Sequence, residues 1–375
     1  EVNQNDSIQL DANVLLTKTK NKSLSFEIEG TNSAGDLGAA ASVTFQHRNL
    51  FKGSETFSIK LRGAYEYISP LEEGYEREDY KEYGIESSLN FPEFKFPFLT
   101  QAFKQRIRAT SEVGLKFNSQ LRPEFTRTLA SASWSYRWTD KLRSQHRFDL
   151  LDINYIYVPW KSNMFKQYLE NLTDRNSILI KSYEDQLIVR TGYTYTYNSA
   201  GNIKNTSRNS YTIRFNVEES GNLLNVASKL LHLKSNGENE YEIANIPFAQ
   251  YVKGDFDFAQ IIRIDNRNSL AFHVGMGIAY PYGNSKALPF EKRYFSGGPN
   301  SVRGWSVRSL GPGNYKGSDN GMTYINHTGD IKLDLNIEYR TRLFWKFNGA
   351  AFIDAGNIWN IREYDGQEDG TFHLK

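Results

Sequence analysis

Arg293-Tyr294-Phe295-Ser296-Gly297-Gly298-Pro299-Asn300-Ser301-Val302-Arg303-Gly304-Trp305 sits inside a long connection between two segments that alternate strictly between apolar and polar residues. Gly297-Gly298-Pro299 demands a tight reversal, because glycine reaches positive φ without penalty and proline fixes the φ that follows. Val302, Arg303, Gly304 and Trp305 then set one cation between two bulky apolar side chains. Withdrawn from water, such an arginine needs carboxylates for its five donors. Taken alone, Val302-Arg303-Gly304 reads as an ordinary surface turn, so its surroundings have to decide.

Working outward, the period is two almost everywhere. Leu24, Phe26 and Ile28 alternate with Ser25, Glu27 and Glu29; Ala39 to Phe45 and Phe57 to Tyr67 do the same after Gly-containing reversals. The pattern returns in Tyr83 to Phe91, Glu112 to Asn118, Ala130 to Trp138, Arg147 to Tyr157, Leu187 to Tyr197, Tyr211 to Glu218, Val252 to Ile264, Leu270 to Tyr280, Ile331 to Leu343 and Phe347 to Trp359. That makes about thirteen strands, many near the ~10 residues of a tilted membrane strand. A soluble sandwich also alternates, but its strands average ~5–6 residues and open twisted sheets rarely exceed ~10 strands.

Connection lengths are asymmetric. Thr139 to Leu142, Asp265 to Ser269 and Phe344 to Lys346 are tight, whereas Pro159 to Gln186, Asn222 to Phe248 and Asn284 to Asp330 are long, and the two kinds follow even and odd strands respectively. Short periplasmic turns and long external loops are the outer-membrane arrangement. Pro92 to Arg106 is long where a short turn is expected. Two long loops carry helical spacing, at Phe165, Tyr168, Leu169 and Leu172 and in Leu223 to Leu233. Such stripes either pack a loop over the barrel mouth or offer a partner-binding face.

Composition agrees with a membrane barrel. Aromatic residues reach 14%, with 23 Tyr and 24 Phe, while the hydrophobic fraction is only 39%; one apolar residue in two suffices for a wall, and aromatics gather at its interfaces. A formal charge of +2 gives no global electrostatic case for nucleic acid. Without cysteine there are no disulfides or thiolate metal sites, and the six histidines, scattered without ligand spacing, read as surface or girdle residues, so no metal or cofactor is expected. No Gly-x-Ser-x-Gly or defensible Ser/His/Asp set is present, which argues against an enzyme.

Downstream of the loop stand Asn336-Ile337-Glu338-Tyr339-Arg340 and Phe352-Ile353-Asp354-Ala355-Gly356-Asn357-Ile358-Trp359. In these three places and in their order, the chain resembles the BamA/TamA superfamily of outer-membrane assembly barrels (bacterial surface antigen type), whose lumen loop carries Gly-Gly-x-x-Ser-Val-Arg-Gly-aromatic. The resemblance spans roughly Ser23 to Trp359. It implies an all-β, transmembrane antiparallel barrel, sixteen-stranded in the family, with the loop of Gly297, Gly298, Ser301, Val302, Arg303, Gly304 and Trp305 folded into the lumen. It also implies that Arg303 is held by Glu338 and Asp354. Parity permits this: Ile331, Leu333, Leu335, Ile337 and Tyr339 are apolar, so Glu338 points inward with Asp334, Asn336 and Arg340, and Asp354 shares a face with Asn348 and Gly356.

The same resemblance implies insertion of β-barrel proteins into the bacterial outer membrane, with unfolded barrel substrates, the lipid bilayer and periplasmic or lipoprotein accessory subunits as partners. The wall would open sideways at its first strand, Leu24, Phe26, Ile28 and Gly30, whose short run to Gly30 suits an edge that frays. An exporter of the two-partner secretion type and a passive porin are the alternatives. Residues 1–22 are expected to be the end of a periplasmic POTRA-type domain and a linker, and 23–375 the barrel. Because the chain begins at Glu1 and ends in a polar loop at Thr371-Phe372-His373-Leu374-Lys375, it is expected to be a processed or excised segment lacking about three of the family's strands.

Overall fold

Alternation written into the chain becomes a wall because each strand can then offer one face to lipid and one to the interior. The structure, a computed structural model, describes residues 15, 20–33, 36–67, 79–140, 143–171, 180–200, 209–233, 235–236, 240–316 and 327–373. The expected periplasmic segment, residues 1–22, lies almost wholly outside them.

The wall comprises β1 (Lys22–Ser33), β2 (Asp36–Arg48), β3 (Thr56–Tyr67), β4 (Asp79–Phe91), β5 (Thr110–Leu121), β6 (Phe125–Asp140), β7 (Ser144–Lys161), β8 (Gln186–Asn198) and β9 (Asn209–Ser220). After a two-stranded ribbon, β10 (Glu242–Ile243) and β11 (Ile246–Pro247), it continues with β12 (Tyr251–Arg263), β13 (Asn268–Pro281), β14 (Ile331–Arg342) and β15 (Asn348–Trp359). Leaving out the ribbon, these form one 13-stranded sheet in chain order, every pairing antiparallel. All the strands expected from alternation are therefore present, most of them longer at both ends.

The register sorts the faces. Leu24, Phe26 and Ile28 oppose Phe45, Val43 and Ala41, and the apolar row continues through Leu61, Ile85 and Phe117. Leu24, Phe26, Ile28, Leu61, Ile85 and Phe117 stand open on the outer face, where lipid would cover them. On the inner face Lys60 pairs with Glu27, Arg62 with Glu29 and Lys116 with Glu86. β7 carries a bulge between Asp149 and Asp152 against β8. An extra residue reverses the parity of the strand, so both carboxylates face inward, toward Arg190.

β1 runs from Lys22 to Ser33, past Gly30, and pairs with β2 along its whole length. It is not the short run the sequence suggested; the polar residues Thr31 to Ser33 broke the apolar pattern without breaking the ladder. Of the two helical stripes, α2 (Asn163–Asn171) packs down, with Phe165 and Leu169 buried against Phe125 and Tyr183. α3 (Asn222–Leu230) leaves Leu223, Val226 and Leu230 exposed. A third helix, α1 (Gln101–Ile107), capped by Thr100, lies in the long β4–β5 connection and was not anticipated. Its seven residues offer too short a window for periodicity.

Candidate functional site: the lumen-loop clamp

In the β13–β14 connection, residues 293–308 return to the inner face of the strands that flank it. Its reversal is built at Gly297 and Gly298, with φ of 94° and 91°. A Cβ on Gly297 would lie 2.1 Å from the Ser306 carbonyl oxygen, so only glycine fits. The turn is closed by Gly298 N–H donating to the Trp305 carbonyl at 2.8 Å and by Arg308 N–H donating to Ser296 at 3.1 Å. Ser301 stabilises it from within, its hydroxyl accepting from Gly297 N–H at 3.3 Å and lying 3.1 Å from the Ser296 hydroxyl.

Arg303 projects from this turn onto β14 and β15. Its Nε and Nη2 donate to the two Asp354 oxygens at 2.8 and 2.7 Å, and Nη1 donates to Glu338 at 2.6 Å. The Arg303 backbone N–H adds a bond to Asp354 at 3.0 Å. This is the bidentate fork that arginine provides and lysine cannot. The guanidinium also lies 3.5 Å from the Phe352 ring centre, on the residue that opposes Glu338 across the β14–β15 ladder.

Neighbouring groups hold the carboxylates. Asn336 donates to Asp354 at 2.8 Å and to the Ser301 carbonyl at 2.7 Å, and Arg340 donates to Glu338 at 2.6 Å. His273, read from sequence as a surface or girdle residue, faces inward and lies 2.9 Å from Asn336. The side chain of Asp354 is 4% exposed and that of Arg303 22%, so the cluster is sheltered rather than sealed.

Val302 is buried and enters the space above Gly356, where a Cβ would stand 3.0 Å from its methyl and 2.6 Å from the Leu333 carbonyl. The flanking residues do not behave alike, however. Trp305 remains half exposed, and a Cβ on Gly304 would meet nothing within 4 Å. Of the two apolar residues that flank the Arg303–Gly304 pair only Val302 is buried, the backbone turning after it with Trp305 N–H donating to the Val302 carbonyl at 3.1 Å.

Three further attachments at the root of the loop escaped the sequence reading. Arg293 is fully buried, donating to Thr328, Asn360 and Gln367 at 3.1, 2.7 and 3.2 Å, 3.6 Å from Asp330 and 5.0 Å from the Tyr364 ring. Burial pushes the Tyr364 phenol well above its ordinary range. Next to it, Lys292 reaches Glu218 at 3.2 Å, and Glu218 is held in turn by Arg190 at 2.6 Å. Tyr294 donates to Asp255 and fits only because Gly277 lacks a Cβ. A charged residue directly before Tyr294-Phe295 was the available signal, but its partners are too distant in sequence to be inferred.

Of the first-strand residues singled out, Leu24, Phe26 and Ile28 lie on the outer face and Gly30 opposes Ala39. None touches the clamp. β1 is instead fastened through its inner face, by Lys60 and Ser42 to Glu27 and by Arg62 to Glu29.

This arrangement, a continuous antiparallel wall with an inward loop clamped at its last two strands, has relatives. The Omp85 superfamily domain matches residues 5–375. The chain belongs to the Omp85 superfamily. Part of this Omp85 chain is 33% identical over 99 residues to the outer membrane protein assembly factor BamA of Neisseria meningitidis serogroup B, covering 24% of this chain and 12% of that protein. In fold it is similar to BamA from Haemophilus ducreyi lacking POTRA domains 1-3, with a TM-score of 0.56 at 14% identity, over 92% of this chain and 59% of that one. The chain thus spans less than two thirds of either relative. As an Omp85 β-barrel domain, it is an outer-membrane protein.

Proposed function

We propose that this domain takes part in inserting β-barrel proteins into the outer membrane, its wall yielding sideways at β1 so that incoming strands pair with the opened edge. The observation that carries the reading is the Arg303 clamp. It ties the lumen loop to β14 and β15, so a loop inside the barrel and strands of its wall are mechanically joined. A passive pore has no use for that joint. The likeness to a protein described as an outer membrane protein assembly factor supports the same reading.

An unpaired strand edge presents backbone donors and acceptors that lipid cannot satisfy, and it therefore recruits a strand. In this reading the partners are unfolded barrel proteins and the bilayer, with periplasmic or lipoprotein subunits assisting, and the work involves no chemical step. The test is depletion of the protein in its own host, followed by quantitative proteomics of the outer membrane and rescue by wild type or Arg303→Ala. A broad fall in unrelated barrels, restored by wild type and not by the variant, is expected. Loss of one exported protein would point to a two-partner exporter, and no loss to a porin.

A further inference from the structure

The β4–β5 connection, between Phe91 and Thr110, is the longest at its end of the wall. It joins strands at the same end of the wall as the β2–β3, β6–β7, β12–β13 and β14–β15 turns. Short turns mark the periplasmic end of an outer-membrane barrel. Residues 92–108 carry Phe94, Phe96, Phe98 and Phe103 interleaved with Lys95, Lys104, Arg106 and Arg108, and Glu93 is the sole acid among them.

This segment does not hang below the barrel. It folds up against the outer, lipid-facing side of the wall. Ser111 and Tyr136 face each other across β5 and β6 on the same side as Val113, Leu115 and Phe117. Lys95 N–H donates to the Ser111 hydroxyl at 2.8 Å, that hydroxyl donates to the Glu93 carbonyl at 2.8 Å, and the Tyr136 hydroxyl donates to the Lys95 carbonyl at 3.1 Å. Phe94 and Phe96 pack on the Tyr136 ring at 4.8 and 6.0 Å between centroids. Tyr136 and Ser111 are each 1% exposed as a result.

Beyond this anchored stretch the apolar groups turn outward. Phe98 is 87% exposed and Phe103 on α1 is open as well, and Arg106 on the same helix is exposed. Other turns at this end repeat the chemistry: Phe51 beside Lys52, and Phe344 and Trp345 beside Lys346, all exposed. Apolar rings level with the end of a membrane wall, fringed by cations, fit the boundary between acyl chains and negatively charged headgroups.

We infer that residues 92–108 form an in-plane membrane anchor that inserts Phe98 and Phe103 into the periplasmic leaflet and binds anionic phospholipid headgroups through Lys104 and Arg106. Continuity with the lipid-facing wall and the cationic fringe select lipid over protein as the occupant. The anchor fixes how deeply the β4–β5 end of the wall sits in the bilayer.

Because the chain has no cysteine, one introduced thiol is unique. The 375-residue chain carrying Phe98→Cys and a nitroxide is reconstituted in phosphatidylcholine vesicles with and without phosphatidylglycerol. Accessibility to oxygen and to a water-soluble nickel chelate is then read, with Leu115→Cys as the lipid reference and Asn266→Cys as the water reference. Position 98 is so exposed that its replacement leaves the fold intact. The label is expected to resemble position 115 in the anionic vesicles and to be more open to nickel in phosphatidylcholine alone. Reversing Lys104 and Arg106 to Glu should abolish that difference, each basic residue contributing about fivefold in partitioning. Nickel access equal to position 266 in both vesicles overturns the inference, as does burial indifferent to lipid charge. Protection seen only in native outer membranes also overturns it, assigning the surface to a protein partner instead.

Discussion

The inner faces of β1–β5 and of β12–β15 use the same residue types on the same parity of one sheet, yet they do different work. In the first region Arg62 meets Glu29 at 3.0 Å and Lys60 meets Glu27 at 3.3 Å, one partner each, with side chains 31–54% exposed. In the second, Arg303 engages two carboxylates and a ring, and Asp354 is almost sealed. What separates the regions is the loop. Residues 293–308 carry a cation of their own into the lumen and shelter the carboxylates from water there. Pairing in high dielectric is worth little, whereas a sheltered, bidentate cluster leaves an uncompensated charge when one member is removed.

The largest expected effect follows from that contrast. Arg303→Ala leaves Asp354 and Glu338 facing each other's charge, and should cost on the order of 3 kcal/mol. Hydrogen exchange at Gly297 to Trp305 should rise sharply while β1–β5 remain protected; unchanged exchange in the loop would erase the distinction between the two regions. Next, Gly356→Ala pushes a Cβ against the Leu333 carbonyl and Val302, an overpacking worth about 1–3 kcal/mol. Urea unfolding should shift accordingly, and Gly63→Ala on the outer face of β3, which meets open space, serves as the unhindered control.

Smaller again is Arg62→Ala, expected at about 0.2–1 kcal/mol and weaker still in high salt. A loss as large as that of Arg303→Ala would show that the β1–β5 ladder is also a clamp. The smallest effect concerns the β12–β13 turn. Asp265 accepts from the Asn268 side chain and from the N–H groups of Arg267 and Asn268, and these bonds hold its carboxyl below the usual range. A depressed carboxylate contributes stability above its unfolded pKa and loses it as pH falls through the folded one. Exchange at Arg267 should therefore accelerate only below about pH 4, and Asp265→Ala should remove that pH dependence.

The wall was legible because lipid on one side and water on the other impose a period of two, which no local propensity overrides in these strands. The clamp was legible through Arg303, Glu338 and Asp354, whose parity on β14 and β15 could be counted and whose order matched a family motif. Local detail was not. β1 ran past Gly30 because backbone pairing continues through polar side chains, and Trp305 turned outward because the reversal after Arg303 sets direction independently of side-chain character. Arg293 could not be assigned: its partners Thr328, Asn360 and Gln367 lie 35, 67 and 74 residues away. Part of that site comes from the stretch after β15, read as a plain polar loop, where Thr371 bridges Asn360 and Phe372 packs edge-on against Trp359.

Arg303 precedes Glu338 by 35 residues and Asp354 by 51. In a chain emerging from its N-terminus, the cation exists before either acceptor, and both acceptors are brought together only when the β14–β15 hairpin has zipped. Docking of the loop therefore has to wait for that hairpin. The clamp thus doubles as a registration check: until the β14–β15 hairpin is correctly aligned, its interior bolt has nowhere to slide home.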